Sequence, residues 1–181
     1  MRYLWLIVFL AGCAGARQQP MSDWERKNQE RLDLEAPAAP ATPPYPRSEN
    51  LLEFYVSATA DFKYFIDAST LKVAPREREV RYVLVARSPD GVDNVSFEAI
   101  RCPDQYRVLA VGQDGKWRGR AADWREIARG TALSRQYALA RNYFCPHRDP
   151  IRSVDEGVYA LQHGQHPDVE VQRSVDGGGQ N

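Results

Sequence analysis

The residues best equipped for chemistry lie in GKWRGRAADWREIARG, residues 115–130. Trp117 and Trp124 offer flat rings; Arg118, Arg120, Arg125 and Arg129 offer guanidinium forks. Rings of this kind stack on sugar faces, and forks match carboxylate and phosphate oxygens. Trp117, Arg118, Arg120, Trp124 and Arg125 are therefore the candidate patch for an anionic glycan or for the acidic surface of an envelope protein. The plainer reading has the rings covering a sheet edge while the arginines reach outward and pair with Asp123 and Glu126.

Acid–base and nucleophilic chemistry find little support. Glu98, in SFEAI, sits among apolar neighbours on the strand face opposite Phe97, where partial burial would raise its interest; the plainer reading is a solvated acid on a strand or one paired with an arginine. Glycoside hydrolysis needs a second carboxylate facing the first, and no partner stands out. Cys145 and His147 are two residues apart, a poor spacing for a nucleophile and its base. His163 and His166 form an H-x-x-H without a nearby cysteine or a second ligand pair. No G-x-S-x-G elbow, P-loop, dinucleotide fingerprint, H-E-x-x-H or EF-hand loop occurs. The sequence assigns no catalytic residue, metal ligand or cofactor.

The N-terminus carries an address. In MRYLWLIVFLAGCAGA, Arg2 precedes an apolar run from Tyr3 to Ala11. A bilayer span needs about 20 apolar residues, so this shorter run is expected to be the core of a secretory signal. Leu10-Ala11-Gly12-Cys13 matches a bacterial lipobox and so resembles lipoprotein precursors. That resemblance implies a diacylglyceryl thioether on Cys13, cleavage before it and acylation of the new terminus, an anchor without a spanning helix. The competing reading is ordinary cleavage after Ala16, which discards Cys13. Ala14, rather than Asp, follows the cysteine. By the lipoprotein sorting rule this favours the outer membrane, facing the periplasm. Cys102 and Cys145 then remain, an even pair in an oxidising space, most simply a disulfide; two buried free thiols are the alternative.

Charge excludes one class of partner. The chain has 24 basic and 24 acidic residues, so nothing in the whole-chain field draws it to nucleic acid. Between Arg101 and Arg152, however, 11 basic side chains face 5 acidic ones.

The elements that must position these residues follow from period and turn signals. Residues 1–12 are the expected signal, 13–49 a lipidated N-terminus and tether, 50–167 the globular domain and 168–181 a frayed tail. The tether ends in LEAPAAPATPPYPRSEN, Pro/Ala-rich and extended by composition. Before it, SDWERKNQERL has Ser22 and Glu25 in capping-box positions, which predicts a short helix. LLEFYVSA and KYFIDAS read as strands. EVRYVLVARS puts Val80, Tyr82, Leu84 and Ala86 on one face and Val83 and Val85 on the other, the mark of a strand covered on both sides. A turn at SPDGV leads back through DNVSFEAIRC; YRVLAVG, a Gln-Asp-Gly turn and KWRGR make a second hairpin. TALSRQYALARNYF has helical spacing at Leu133, Tyr137 and Ala140 and ends before Pro146; SVDEGVYALQHG starts on a Ser153/Glu156 capping box. The expected class is α+β: a mostly antiparallel sheet of about five strands with two hairpins, covered by C-terminal helices and stapled by one disulfide.

At PYPRSENLLEFYVSA, SPDGVDNVSFEAIRC and NYFCP the chain resembles the CNP-one-like family. The resemblance implies a bacterial envelope context and transfers no functional residue. The reading as a whole is a tethered periplasmic binding or assembly module. The alternative is an envelope hydrolase acting on cell-wall glycan or peptide.

Overall fold

A computed structural model describes residues 40–119, 121–128 and 134–169, together with Ser22, Asp23, Arg26 and Lys27. The chain divides into two compact units, Met1–Ala38 and Ala39–Asn181. In the first, the Arg26 amide donates to the Ser22 carbonyl at 3.0 Å, the bond of a helical turn, and the Arg26 guanidinium meets the Asp23 carboxylate. Trp24 and Glu25 of the expected helix, the signal segment with Cys13, and residues 170–181 lie outside the described residues.

In the second unit, seven strands form one antiparallel sheet. They are β1 (Leu51–Phe54), β2 (Lys63–Ala74), β3 (Glu79–Arg87), β4 (Asp93–Arg101), β5 (Gln105–Gln113), β6 (Lys116–Arg118) and β7 (Arg125–Glu126). Strands β1 to β6 neighbour one another in chain order, and β7 pairs with β5. The count exceeds the expected five because short pieces cap both sides of the sheet: four residues in β1, three in β6 and two in β7. Both expected hairpins form. In the second, Gln113 pairs with Lys116 and leaves Asp114-Gly115 as a two-residue loop. Both loop residues have positive φ, 51° and 71°, which suits the twist of the flanking strands.

Strand β2 runs past the expected KYFIDAS because a bulge carries it on. Its register against β3 shifts between Asp67 and Lys72. The Thr70 hydroxyl donates to the Asp67 carbonyl at 2.8 Å and accepts the Val83 amide at 3.0 Å, so a side chain takes over a ladder position. The Asp67 carboxylate accepts the Ser69 amide and hydroxyl, which closes the bulge on itself.

Alternation along β3 builds two cores. Val80, Tyr82, Leu84 and Ala86 pack with the helices, while Val83 and Val85 join Phe97, Ala99, Leu109 and Ala110 on the other face. Helix α1 (Arg135–Ala138) starts on a Ser134 cap whose hydroxyl accepts the Tyr137 amide, and it continues as a π-helix, Leu139–Phe144. The expected face is kept at Ala140 and widened. Tyr137 is only partly buried, and Gln136, Leu139, Ala140, Tyr143 and Phe144 go inward; Leu133 lies outside the described residues. The Cys145 amide reaches the Ala140 carbonyl, five residues back, which marks the wider turn. Helix α2 (Val154–Gln162) has the expected Ser153 cap, its hydroxyl accepting the Glu156 amide. The Glu156 carboxylate, instead of returning to the cap residue, accepts the Arg152 amide and bonds the buried His166 ring at 2.8 Å.

Cys102 and Cys145 form a disulfide, with their Cα atoms 5.6 Å apart. It joins the residue after β4 to the residue after the π-helix, the placement that the sequence predicts.

The packed unit reaches upstream of Asn50. Tyr45 lies against the second core, its ring 5.4 Å from that of Trp117, and the Trp117 indole donates to the Pro43 carbonyl at 2.7 Å. This strap needs Gly112 beneath it. A Cβ there would lie 2.6 Å from the Tyr45 hydroxyl and 2.8 Å from the Val95 Cβ. The hydroxyl can move aside, but the strand atom cannot. Gly112→Ala is expected to destabilise the fold by about 1–3 kcal/mol, measured as a lower urea midpoint at unchanged slope.

Candidate functional site

The structure does not gather the arginine–tryptophan patch on one surface. Successive residues of a strand point to opposite faces. Trp117, opposite Gly112, joins the second core, and Arg118, opposite Val111, lies on the helix-bearing face. Trp124 also packs on the second core. Its ring is covered by the guanidinium groups of Arg101 at 4.0 Å and Arg107 at 4.3 Å, so its cations come from β4 and β5 rather than from its own segment. Arg107 and Arg81 share the buried Glu79 carboxylate at 3.2 and 2.7 Å. Arg125 is exposed on β7, and Arg120 and Arg129 lie outside the described residues. Both rings thus cover the sheet, as the plainer reading has it. Trp117→Phe keeps a ring but loses the donor to Pro43. It is expected to speed amide exchange over residues 45–50 several-fold, measured by hydrogen exchange, with strands β2 to β4 unchanged.

Glu98 is the centre of a different arrangement. Alternation along β4 places Ser96, Glu98 and Ile100 on the helix-bearing face, and Glu98 is 0% exposed. One carboxylate oxygen accepts the Ser96 hydroxyl at 2.7 Å and the Arg135 guanidinium at 3.3 Å. The other accepts the Gln136 amide at 3.1 Å and the Tyr82 hydroxyl at 3.4 Å. Four donors occupy its four acceptor sites, as a buried charge requires. Burial first, then the neighbouring Glu98 charge, holds the Tyr82 phenol well above the usual tyrosine range, so it remains a donor. Arg135 and Gln136 open α1, and the short helix delivers both to the acid.

This cluster forms the inner end of a cleft. The helices pack on the part of the sheet that carries Ile66, Val80, Tyr82 and Ile100. Beyond it the same face continues through Leu84, Ala86, Asn94, Ser96 and Val111, with Phe62 and Tyr64 as a wall whose rings lie nearly parallel, 6.4 Å apart. The cleft is open to solvent and holds about 480 Å³, a volume within the range of small-molecule sites. Arg135 is the one charged side chain among the described residues that line it. It is 35% exposed, while its partner Glu98 is hidden behind it. The Arg135 Nε is buried with no hydrogen-bond partner among the described residues.

The other candidates separate. Cys145 is bonded to Cys102, so it offers no thiol beside His147. His163 stacks on Tyr159 and bonds its carbonyl, and His166 is buried against Glu156. Among the described residues, no three His, Cys, Asp or Glu side chains gather as a metal site, and no helix is long and apolar enough to cross a membrane. Sequence reasoning singled out Glu98 but missed Ser96, Arg135 and Gln136 as its partners. The alternation Ser96–Glu98–Ile100 was a signal for the first of them; the other two come from 37 and 38 residues away.

No curated protein and no solved structure matches the chain. A family model does, over residues 33–162, well over half of the sequence and including the Pro43–Tyr45 strap. The chain with this two-faced sheet, its stapled helix and its arginine-ended cleft belongs to the CNP1-like family.

Proposed function

We propose that the chain is a lipid-anchored envelope protein whose folded unit is a binding module, with the cleft as its ligand seat. The observation that carries this is the lining: an apolar floor, an aromatic wall and one arginine, with no carboxylate, thiol or imidazole among the described lining residues. Such a surface is suited to hold and orient a molecule. The lipobox at Leu10 to Cys13 supports an acyl anchor. The Cys102–Cys145 bond suits an oxidising compartment such as the periplasm, and Ala14 after the lipobox cysteine favours the outer membrane.

Two measurements test the two halves. Palmitate should label the wild-type protein in its host and fail to label Cys13→Ala; a labelled variant overturns the anchor. Native mass spectrometry of protein recovered from envelopes should show a small-molecule adduct that Val111→Trp removes. Val111 is 47% exposed and lines the cleft, so the substitution grows into the cleft rather than into the core. An adduct retained in that variant places the ligand elsewhere.

The hydrolase alternative rests on one contact, the Ser96 hydroxyl donating to Glu98. An arginine and two further donors already occupy the other acceptor sites of that carboxylate. A serine-reactive fluorophosphonate that labelled Ser96 would favour the hydrolase over the module.

A further inference from the structure

Resting on the reading of the cleft as a ligand seat, we infer that its ligand is an amphipathic monocarboxylate: one carboxylate held by Arg135, on an apolar body that lies over Leu84, Ala86 and Val111 against the Phe62–Tyr64 wall. The sign of the charge follows from the lining, which has one cation and no anion among the described residues. Glu98 neutralises Arg135 only in part. Its carboxylate is fully buried, lies 3.3 Å away, and is already bonded by Ser96, Gln136 and Tyr82. That separation is long for a charge-assisted bond, which is usually about 2.7–2.9 Å. A guanidinium has five N–H donors, and the bond to Glu98 engages one of them among the described residues. The exposed part of the group therefore retains donors, on a side chain whose position the buried acid fixes before any ligand arrives. Arg118, beside Val111 in the ladder, adds a second cation to this face toward the β6 edge.

The body of the ligand follows from the rest of the lining. Leu84, Ala86 and Val111 form an apolar floor, and the near-parallel rings of Phe62 and Tyr64 form a flat wall. Ser96, bonded to Glu98 beside the arginine, and Asn94, whose amide donates to the Ala86 carbonyl, add two polar groups to the lining. A sugar stacked on the aromatic wall would leave hydroxyls over the apolar floor of Leu84, Ala86 and Val111 without partners, and a cationic ligand would meet an arginine without a facing acid. A planar carboxylate matches a guanidinium fork in shape as well as charge.

The test titrates the full chain carrying Cys13→Ala, so that no acyl chain of its own competes, with octanoate, octanol and octylammonium by calorimetry. Octanoate should bind at least about tenfold more tightly than octanol, and octylammonium should not bind. Arg135→Gln should bring octanoate down to the level of octanol, and Val111→Trp should abolish the binding of both. Arg125→Gln, on β7, should change nothing. Because Arg135→Gln disturbs a buried pair, amide shifts of Asn94 and Ser96 on adding octanoate to the wild-type chain give a second readout. Phenylbutanoate, run beside octanoate, tells an aromatic body from an aliphatic one, and tighter binding by either acid supports the class. Equal affinity for octanoate and octanol overturns the carboxylate while leaving the cleft as a ligand seat. Failure of all the probes, with an envelope adduct indifferent to Val111→Trp, overturns both.

Discussion

Glu98→Ala is expected to destabilise the folded unit by about 3–5 kcal/mol, a large share of the roughly 5–15 kcal/mol that holds an ordinary domain together. The reason is what remains behind. Tyr82, Gln136, Ser96 and Arg135 all donate to this carboxylate, and truncation leaves buried donors and a guanidinium without its counter-charge. Each stranded polar group costs about 1–3 kcal/mol, with partial relief where water can enter from the cleft. Urea unfolding measures the loss. The double variant Glu98→Met with Arg135→Met separates charge from packing, because an apolar pair of similar volume often replaces a buried ion pair at little cost. The double variant should recover a large part of the stability that the single one loses, a coupling of more than about 1 kcal/mol. A double variant as unstable as the sum of the two single ones would show that the cluster acts through shape, not electrostatics.

Removing the disulfide has an effect of similar size by another route. Cys102 and Cys145 are 43 residues apart, and in the chain-entropy model a loop of that length contributes about 4 kcal/mol by restricting the unfolded chain. Cys102→Ser with Cys145→Ser is expected to lower the melting temperature by about 10–20 °C. The loss should not be uniform. The second core, around Val83, Val85, Phe97 and Leu109, makes no use of the helices. Amides of Leu139–Phe144 should therefore exchange first, while those of β3 and β4 stay protected. Equal loosening of sheet and helix would mean that the two cores fold as one cooperative piece.

The parts of this fold that were legible in the sequence are those written in local periods. Val80, Tyr82, Leu84 and Ala86 alternate with Val83 and Val85, and the sheet has a core on each face accordingly. Asp114-Gly115 declared its hairpin, and Ser153 its helix. The even count of cysteines left after the first declared the staple. What escaped was non-local. Pro43 and Tyr45 belong to a Pro-rich stretch whose composition reads as spacer, yet the extended backbone that prolines favour is what lets Tyr45 lie flat across Gly112. The cleft depends on where the helices stop along the sheet, which no window of sequence contains. The candidate patch failed as a unit for a reason already present in Lys116-Trp117-Arg118: a strand cannot show adjacent residues to the same side.

The lengths of the strands have a consequence for neighbouring copies. An unpaired flank of backbone amides and carbonyls is a template on which a second molecule can stack, the first step toward fibrils. Here β3 and β4 have a strand on each side, β1 covers Tyr64–Asp67 of β2, β6 and β7 cover the two ends of β5, and the flanking strands are only four, three and two residues long, so each exposed run of backbone is short. Crowding many molecules into a small area would therefore give little purchase for polymerisation, and the fold can be displayed densely without seeding aggregates.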